Sequence, residues 1–510
     1  MNDKPVFEDE NLLQTEKELQ EAARRNDTAM IRRLICIKVN VNAKNNDNRT
    51  ALHWAVAGGN EDAVKLLLDH NANVDIEDKF GMTPALLAAW FGHLQLLQIL
   101  VNAGAKVTIR NSIGQGIHHC AAHQGHMAII RYTIEELQEV PLDKPDQTGK
   151  TPLLLAAENG QLDVVTYLHA LGCDHQFQDK ERNSCIHLAA GQGHVHVLEN
   201  LIQGIFSESK NKAGQTALHL AAEGGHFNCV KLLLDNQCQI NVRCSQNLNA
   251  LHYAVKQGHK DVCHLLVEEG IDMNAVGQNA CLHLAVKHNF AQLVRLLIAA
   301  GCDINISDHK QQSALHLAVE RGQFAIVEML LKANINLQLQ DKQGKTALDL
   351  AVRSQHAVLI DMIIKMERFN ARNLDTSQVA AEGQGDSVLG LPFNHVPNLS
   401  HVRSVLWNLA TKHLKPGDWK KLAEHWDFSK KHIKAVETQW TGSNSYKEHG
   451  YRMLLIWLHG IITLGKHPIK ELYESLVKIG KAEVAELSLF KQRKYVDRRI
   501  QRWIHLRSAK

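Results

Sequence analysis

The stretch TALHLAAEGGH, Thr216 to His226, sets His219 and His226 seven residues apart around a short apolar run. Imidazoles serve as metal ligands and as general bases near neutral pH, so such a pair is a first candidate for chemistry. A denser group, His118, His119, Cys120, His123 and His126, offers the ligand types of a zinc site. TGKT ending at Thr151 and GKT ending at Thr346 carry the last residues of a phosphate-binding loop. In both, the first glycine of GxxxxGKT is missing, with Lys144 and Leu339 in its place, so both read as turns. No nucleophile elbow, HExxH or dinucleotide fingerprint occurs elsewhere. The ten cysteines include no CxxC pair. Cys173, Cys238 and Cys302 recur after one kind of segment and Cys185 and Cys281 share another slot, which suits small buried residues rather than ligands or disulfides.

The histidines are explained by what surrounds them. TALHWAVAGGN from Thr50, TPALLAAWFGH from Thr83, GIHHCAAHQGH from Gly116, TPLLLAAENGQ from Thr151 and SCIHLAAGQGH from Ser184 repeat the opening stretch. NALHYAVKQGH from Asn249, ACLHLAVKHNF from Ala280, SALHLAVERGQ from Ser313 and TALDLAVRSQH from Thr346 continue it, and a terminal copy lies at LQEAARRND from Leu19. The steps between copies stay within 31 to 35 residues, most of them 33, which gives eleven units. Within one unit, Thr216 is placed to cap a helix, Ala221 and Ala222 to let neighbouring helices pack closely, and Gly225 to end the helix. FNCVKLLLDN then supplies a second helix with Val230, Leu233 and Leu234 at core spacing. Tips such as DKFG from Asp78, DQTG from Asp146 and DKQG from Asp341 form the turns between units.

A period of 33 with a TPLHxAA signature resembles the ankyrin repeat, over residues 15–368. The resemblance implies that His53, His119, His187, His219, His252, His283 and His316 steady the turn of each unit. His93, His126, His194, His226 and His259 belong to the same scaffold. It also implies a protein-binding concave surface built from the hairpin tips and the two variable positions after the alanine pair. Only Trp90 and Phe91 form a large apolar pair there, with Phe80 on the adjoining tip. These three are candidate client-binding anchors, the alternative being that an aromatic packs along its own groove. Asn42, Asn241, Asn274 and Asn305 each follow a leucine by eight residues, a pattern similar to the site at which ankyrin-repeat proteins are hydroxylated by an asparaginyl oxygenase. Asparagine that merely suits the turn is the other reading.

The period stops in the segment ending at Phe369, and residues 369–397, with EGQGDS and Pro392 and Pro397, read as a linker. Residues 398–488 hold six short amphipathic segments, expected at 399–413, 418–425, 429–438, 446–460, 468–478 and 481–488. DWKKLAEHWDFSKKHIKAVE from Asp418, YRMLLIWL from Tyr451 and ELYESLVKIGKAEVAEL from Glu471 resemble the death domain, with Asp427 where that family usually has Gly. Trp419, Leu422, Trp426, Ile433, Leu454 and Trp457 then fill a core. Lys420, Lys421, Lys430, Lys431 and Lys434 are candidate contacts for acidic faces of partner death domains, although solvated lysines are the ordinary state of such residues. Residues 489–510 form a basic tail in which Val496, Ile500, Trp503 and Ile504 share a helical face. Membrane-surface, calmodulin or nucleic-acid binding and simple packing all fit that tail, with nucleic acid the least expected partner.

Charge adds one constraint. Residues 398–488 carry 14 Lys and Arg against 9 Asp and Glu, residues 489–510 carry 8 against 1, and the total of +3 leaves −9 on residues 1–397. An acidic front and a basic back favour docking of one on the other, which would silence the second domain until a client binds. With no basic flank leading into an apolar segment at residues 1–14 and no apolar run of about 20 residues, neither a secretory signal nor a bilayer span is expected. The expected fold is all-α: a solenoid of helix-turn-helix units with β-hairpin tips, followed by a six-helix death-fold bundle. The expected function is a non-enzymatic cytoplasmic or nuclear adaptor, without cofactor or metal, that captures a client on its repeats and pairs with other death domains. A passive tether resembling the membrane-skeleton ankyrins is the alternative.

Overall fold

The computed structural model describes residues 13–137, 142–204, 208–275, 280–377, 400–439, 442 and 445–490. The N-terminal tail to residue 12, most of the 369–397 linker and the basic tail from 491 lie outside them. The chain divides into two compact units, Met1–Ala275 and Val276–Lys510.

In the first unit, eight helix pairs follow one another from Gln14–Arg24 to Lys260–Glu268. The pair Ala217–Gly224 and Phe227–Asp235 represents them. Ala221, Ala222, Cys229, Val230 and Leu233 are buried; Leu234 is only half-buried. Small residues on the first helix let the next first helix approach, which is why Ala recurs where a larger side chain would hold the helices apart. Gly225 ends the helix at φ 74°, and a Cβ there would lie 2.5 Å from His259 Nδ1 of the following repeat, so glycine is required on both counts.

The tips are turns, not β-hairpins. Asp78 Oδ1 accepts from the Phe80 and Met82 backbone N–H groups, and Asp146 and Asp341 do the same two and four residues ahead. This side-chain turn leaves only one or two backbone bonds between the arms, such as Asp78 N to Met82 O, too few for a ladder. Among the described residues the one β pairing is an isolated bridge, Ser307 with Ser313. Instead the tips are tied to one another: Lys79 N donates to Asp47 O, Ser112 N to Phe80 O and Gln147 N to Ile113 O, each at 2.9 Å. TGKT lies within this chain of turns.

The second unit holds three further helix pairs, from Cys281–Lys287 to Ala357–Ser377, and then six helices. The last repeat helix continues to Ser377. The six are Ser400–Asn408, extended by a π-helical turn Leu409–His413, then Asp418–His425, Lys430–Glu437, Ser445–Thr463, Pro468–Lys478 and Ala482–Phe490. They fall where the amphipathic segments place them. Trp426 and Trp457 stack at 4.4 Å in their core, with Trp426 Nε1 donating to Ser475 Oγ at 2.8 Å. Trp419, Leu422, Ile433 and Leu454 are buried around them. Asp427 takes the left-handed conformation at φ 59°, so the turn before Lys430–Glu437 keeps a glycine-like geometry that Asp tolerates at modest cost.

Candidate protein-binding surfaces

Five of the seven motif histidines are held at both ends, whereas His119 is bonded only through Nδ1 and His283 only through Nε2. His219 Nδ1 lies 2.9 Å from Thr216 Oγ1 and accepts from the Thr216 N–H, while Nε2 is 3.2 Å from Leu248 O of the next repeat. His53, His187, His252 and His316 repeat this arrangement toward Met82, Gln215, Ala275 and Lys345 carbonyls. One imidazole therefore caps its own helix and pins the following loop. Burial pushes His53, His119 and His219 down to about 4, so they are neutral at physiological pH. Where Pro follows Thr, as at Thr83 and Thr151, the Thr hydroxyl caps the helix by itself.

The second histidine set works across repeats. His126, His194, His226 and His259 each direct Nε2 at a carbonyl in the last turn of the preceding first helix, Trp90, Glu158, Gly191 and Glu223, at 2.9 to 3.0 Å. The dense histidine group is divided among such tasks. Gly116 N donates to His119 Nδ1, His126 serves Trp90 O, and His123 stacks on the Trp90 ring at 4.8 Å. Among the described residues no three His, Cys, Asp or Glu side chains gather around one point, and no helix is long and apolar enough to cross a membrane. The described cysteines are free thiols, and burial pushes Cys120, Cys173 and Cys185 up to about 12. Cys36 departs from the expected buried position: it ends the Thr28–Cys36 helix and is exposed, and Cys238 is only half-buried.

What remains is surface. Trp90 is half-buried under its stack with His123, whereas Phe80 and Phe91 are 58% and 46% exposed. Ile113, which sequence reasoning missed, stands 46% exposed on the tip next to that of Phe80, and the two tips share the Ser112 N to Phe80 O bond. The signal was available in SIG, where Ile113 takes the tip position before glycine that Phe80 holds in KFG.

Three of the four asparagines show one shared role. Asn42, Asn241 and Asn305 each accept a backbone N–H from 31 residues ahead, Asn73, Asp272 and Asn336, at 2.7 to 2.8 Å. Asp75 and Glu208 accept from Lys106 and Gln239 in the same way, so this position needs an acceptor rather than asparagine. Asn274 is exposed, and its own N–H donates to Asp272 Oδ1.

Of the candidate lysines, Lys421 and Lys430 are exposed, and Lys420 pairs with Glu437. Lys431 and Lys434 line a groove with Lys345, Asp349 and Arg353 of the last repeat. The bundle is packed on that repeat. Arg452 Nε donates to Asp361 Oδ2 at 3.2 Å and its Nη2 to Ala357 O at 2.9 Å; His432 Nε2 lies 2.6 Å from Glu367 Oε2. Arg368, buried, donates to Trp426 O at 2.9 Å and lies 3.7 Å over the Phe428 ring. The sequence suggested docking from net charge alone; here it rests on specific buried pairs.

A model of ankyrin repeats matches residues 19–111, 110–179, 186–276 and 282–373, well over half of the chain, and the protein belongs to the ankyrin-repeat family. Among curated proteins, the chain is 32% identical over 146 residues to "Probable 26S proteasome regulatory subunit p28" of Saccharomyces cerevisiae, covering 28% of this chain and 64% of that one. It is 36% identical over 93 residues to "Serine/threonine-protein kinase 12" of Arabidopsis thaliana, 18% of this chain and 20% of the kinase. It is 30% identical over 245 residues to "Ankyrin repeat and KH domain-containing protein mask-1" of Caenorhabditis elegans, 47% of this chain and 8% of that protein. The matches thus span less than two thirds of each relative. The solved ankyrin repeat domain of Bcl-3 aligns at 30% identity and a TM-score of 0.39, over 42% of this chain and 98% of that domain. Ankyrin repeats bind protein partners, and the fold is typically a non-enzymatic interaction module.

Proposed function

We propose that the chain is a non-enzymatic adaptor whose repeats hold a client protein at the tips carrying Phe80 and Ile113 and the helix end carrying Phe91, and whose C-terminal bundle is a death domain that pairs with others. The observation that carries the client site is the exposure of Phe80, Phe91 and Ile113 within three consecutive repeats, since exposed aromatics are the anchors that dominate protein interfaces. Six helices between residues 400 and 490 and the buried Trp419, Leu422, Trp426 and Trp457 support the death-domain reading. Lys421 and Lys430 are its free cationic contacts, and a cytoplasmic or nuclear setting suits ten unpaired cysteines.

Cross-linking of the full chain in cell extract, beside a Phe80→Asp/Phe91→Asp variant and a Leu171→Asp control, tests the client site. Leu171 is equally exposed but follows a second helix, away from the tips. Partners lost in the double variant and kept in the control are expected; equal yields from all three would remove the aromatic anchors. The tether reading is favoured by one observation, the packing of the bundle on Ala357–Ser377. Light scattering of the full chain over a concentration series separates the two, because a tether stays monomeric while pairing raises the mass and Lys421→Glu/Lys430→Glu abolishes the rise. Oxygenation of Asn42, Asn241, Asn274 or Asn305 remains part of the proposal, read by intact-peptide mass spectrometry.

A further inference from the structure

Ala347–Arg353 of the last repeat and Lys430–Glu437 of the bundle flank a groove of about 430 Å³. That size falls within the roughly 300–1,000 Å³ usual for a ligand site. Helical spacing decides which side chains reach it. Lys431, Lys434, Ala435 and Thr438 recur three or four residues apart and form one stripe, while Lys345, Asp349 and Arg353 recur every four on the facing wall. Leu348, Leu350 and Val352 give the groove an apolar lining beside these charges.

The charges on the walls do not balance. Lys345, Arg353, Lys431 and Lys434 are all exposed, and among the described residues none of their side chains has a hydrogen-bond or ion-pair partner. Asp349 is the one carboxylate in the lining, and its Oδ2 accepts from the Thr346 N–H and hydroxyl. The other acids nearby are committed: Glu437 pairs with Lys420, Glu367 with His432, and buried Asp341 accepts the Gln343 and Lys345 backbone N–H groups. With Asp349 counted in full, four positive charges face one negative. Cations converging on a groove with low-dielectric walls raise the local potential and draw in negative ligands. A single solvated lysine needs no explanation, but four cations from two elements around apolar surface match an occupant that is acidic and partly apolar.

We propose that this groove binds an acidic peptide segment of a partner protein, its carboxylates meeting the two cationic walls and its apolar side chains covering Leu348, Leu350 and Val352. Neither the repeat nor the bundle offers the site alone, so a bound segment bridges them. Other anions match less of the groove. Only Arg353 has the planar fork that takes a phosphate in bidentate fashion, and among the described residues no aromatic side chain lines the groove to stack a base. The site shares no residue with Phe80, Phe91 and Ile113, and it stands whether or not the bundle pairs with other death domains.

Fluorescence anisotropy of a labelled peptide in which leucines alternate with glutamate pairs, titrated with the full chain at about 0.15 M salt, tests this. Saturable binding is expected, weakened roughly tenfold or more both in Lys431→Glu/Lys434→Glu and in Lys345→Glu/Arg353→Glu, one wall at a time. Lys421→Glu/Lys478→Glu makes the same change in net charge at exposed positions outside the groove and should bind within about twofold of the parent. Because every altered position is exposed, each variant should melt with the parent, which separates lost binding from misfolding. Serine in place of the peptide's leucines should weaken binding, and a single-stranded oligonucleotide of matching charge should not displace the peptide. No saturable binding, loss confined to one wall, equal loss in the Lys421→Glu/Lys478→Glu control, a serine peptide that binds as tightly, or displacement by the oligonucleotide would each overturn the proposal.

Discussion

His219 bonds Thr216 through Nδ1 and the Leu248 carbonyl through Nε2, and burial holds its pKa near 4, together with those of His53 and His119. In the unfolded chain these groups titrate near ~6.5. Their folded values are lower, so the unfolded state takes up protons first as the pH drops. Stability is complete above about pH 6.5, falls from there toward about pH 4, and is not lowered further by these groups below it. Each contributes a slope of up to about 1.4 kcal/mol per pH unit in that window. Urea midpoints should therefore fall steeply between about pH 7 and 5; a flat profile would mean the imidazoles are not buried neutral. His219→Ala should cost about 1–3 kcal/mol, because it orphans a buried cap and a buried carbonyl. His219→Asp should cost less. Asp349 in the last repeat shows why: its carboxylate takes the Thr346 N–H and hydroxyl, which serves the cap alone. These roles were legible in the sequence because the motif repeats. The acceptor role of Asn42 was not, since Asp75 and Glu208 fill the same need and only the bonded partners reveal it.

At the scale of helices, the bundle depends on two tryptophans that meet from different elements, Trp426 after Asp418–His425 and Trp457 within Ser445–Thr463. Trp457→Ala empties a fully buried site and strands the Trp426 ring, a loss of about 3–5 kcal/mol that should appear as a lower denaturation midpoint and a weakened near-ultraviolet signal. Trp407→Ala, at a 43% exposed position, should be much milder. Helix positions could be read from amphipathic spacing and from breaks such as KPGD, because each helix buries one stripe. The tips were expected as β-hairpins and form turns instead. The aspartate that opens the tip captures the backbone N–H groups two and four residues ahead that a ladder would have used, a local competition that a repeat signature does not display.

Across the whole chain, a repeat stack passes strain only to its neighbours, so damage at one end should leave the other untouched. The contact between the last repeat and the bundle extends that logic, and sequence could not reveal it: Asp361 and Arg452 stand 91 residues apart, with no periodicity relating them. Burial pushes the Asp361 carboxyl up even beside Arg452, a sign that the pair is costly to desolvate and is held by its surroundings. Arg452→Met leaves that carboxylate buried without its partner, which should cost about 3–5 kcal/mol, whereas Asp361→Met/Arg452→Met should recover most of the loss. Hydrogen exchange gives the spatial answer. In Arg452→Met, amides of Ala357–Ser377 and of Ser445–Thr463 should lose protection together, while Ala51–Ala57 and Ala217–Gly224 keep theirs. Because the pair is buried and backed by apolar packing, raising the salt concentration should not reproduce this opening in the parent chain. If only the bundle responded, the last repeat and the bundle would be separate cooperative units, and the gating once suggested by net charge would need another contact to carry it.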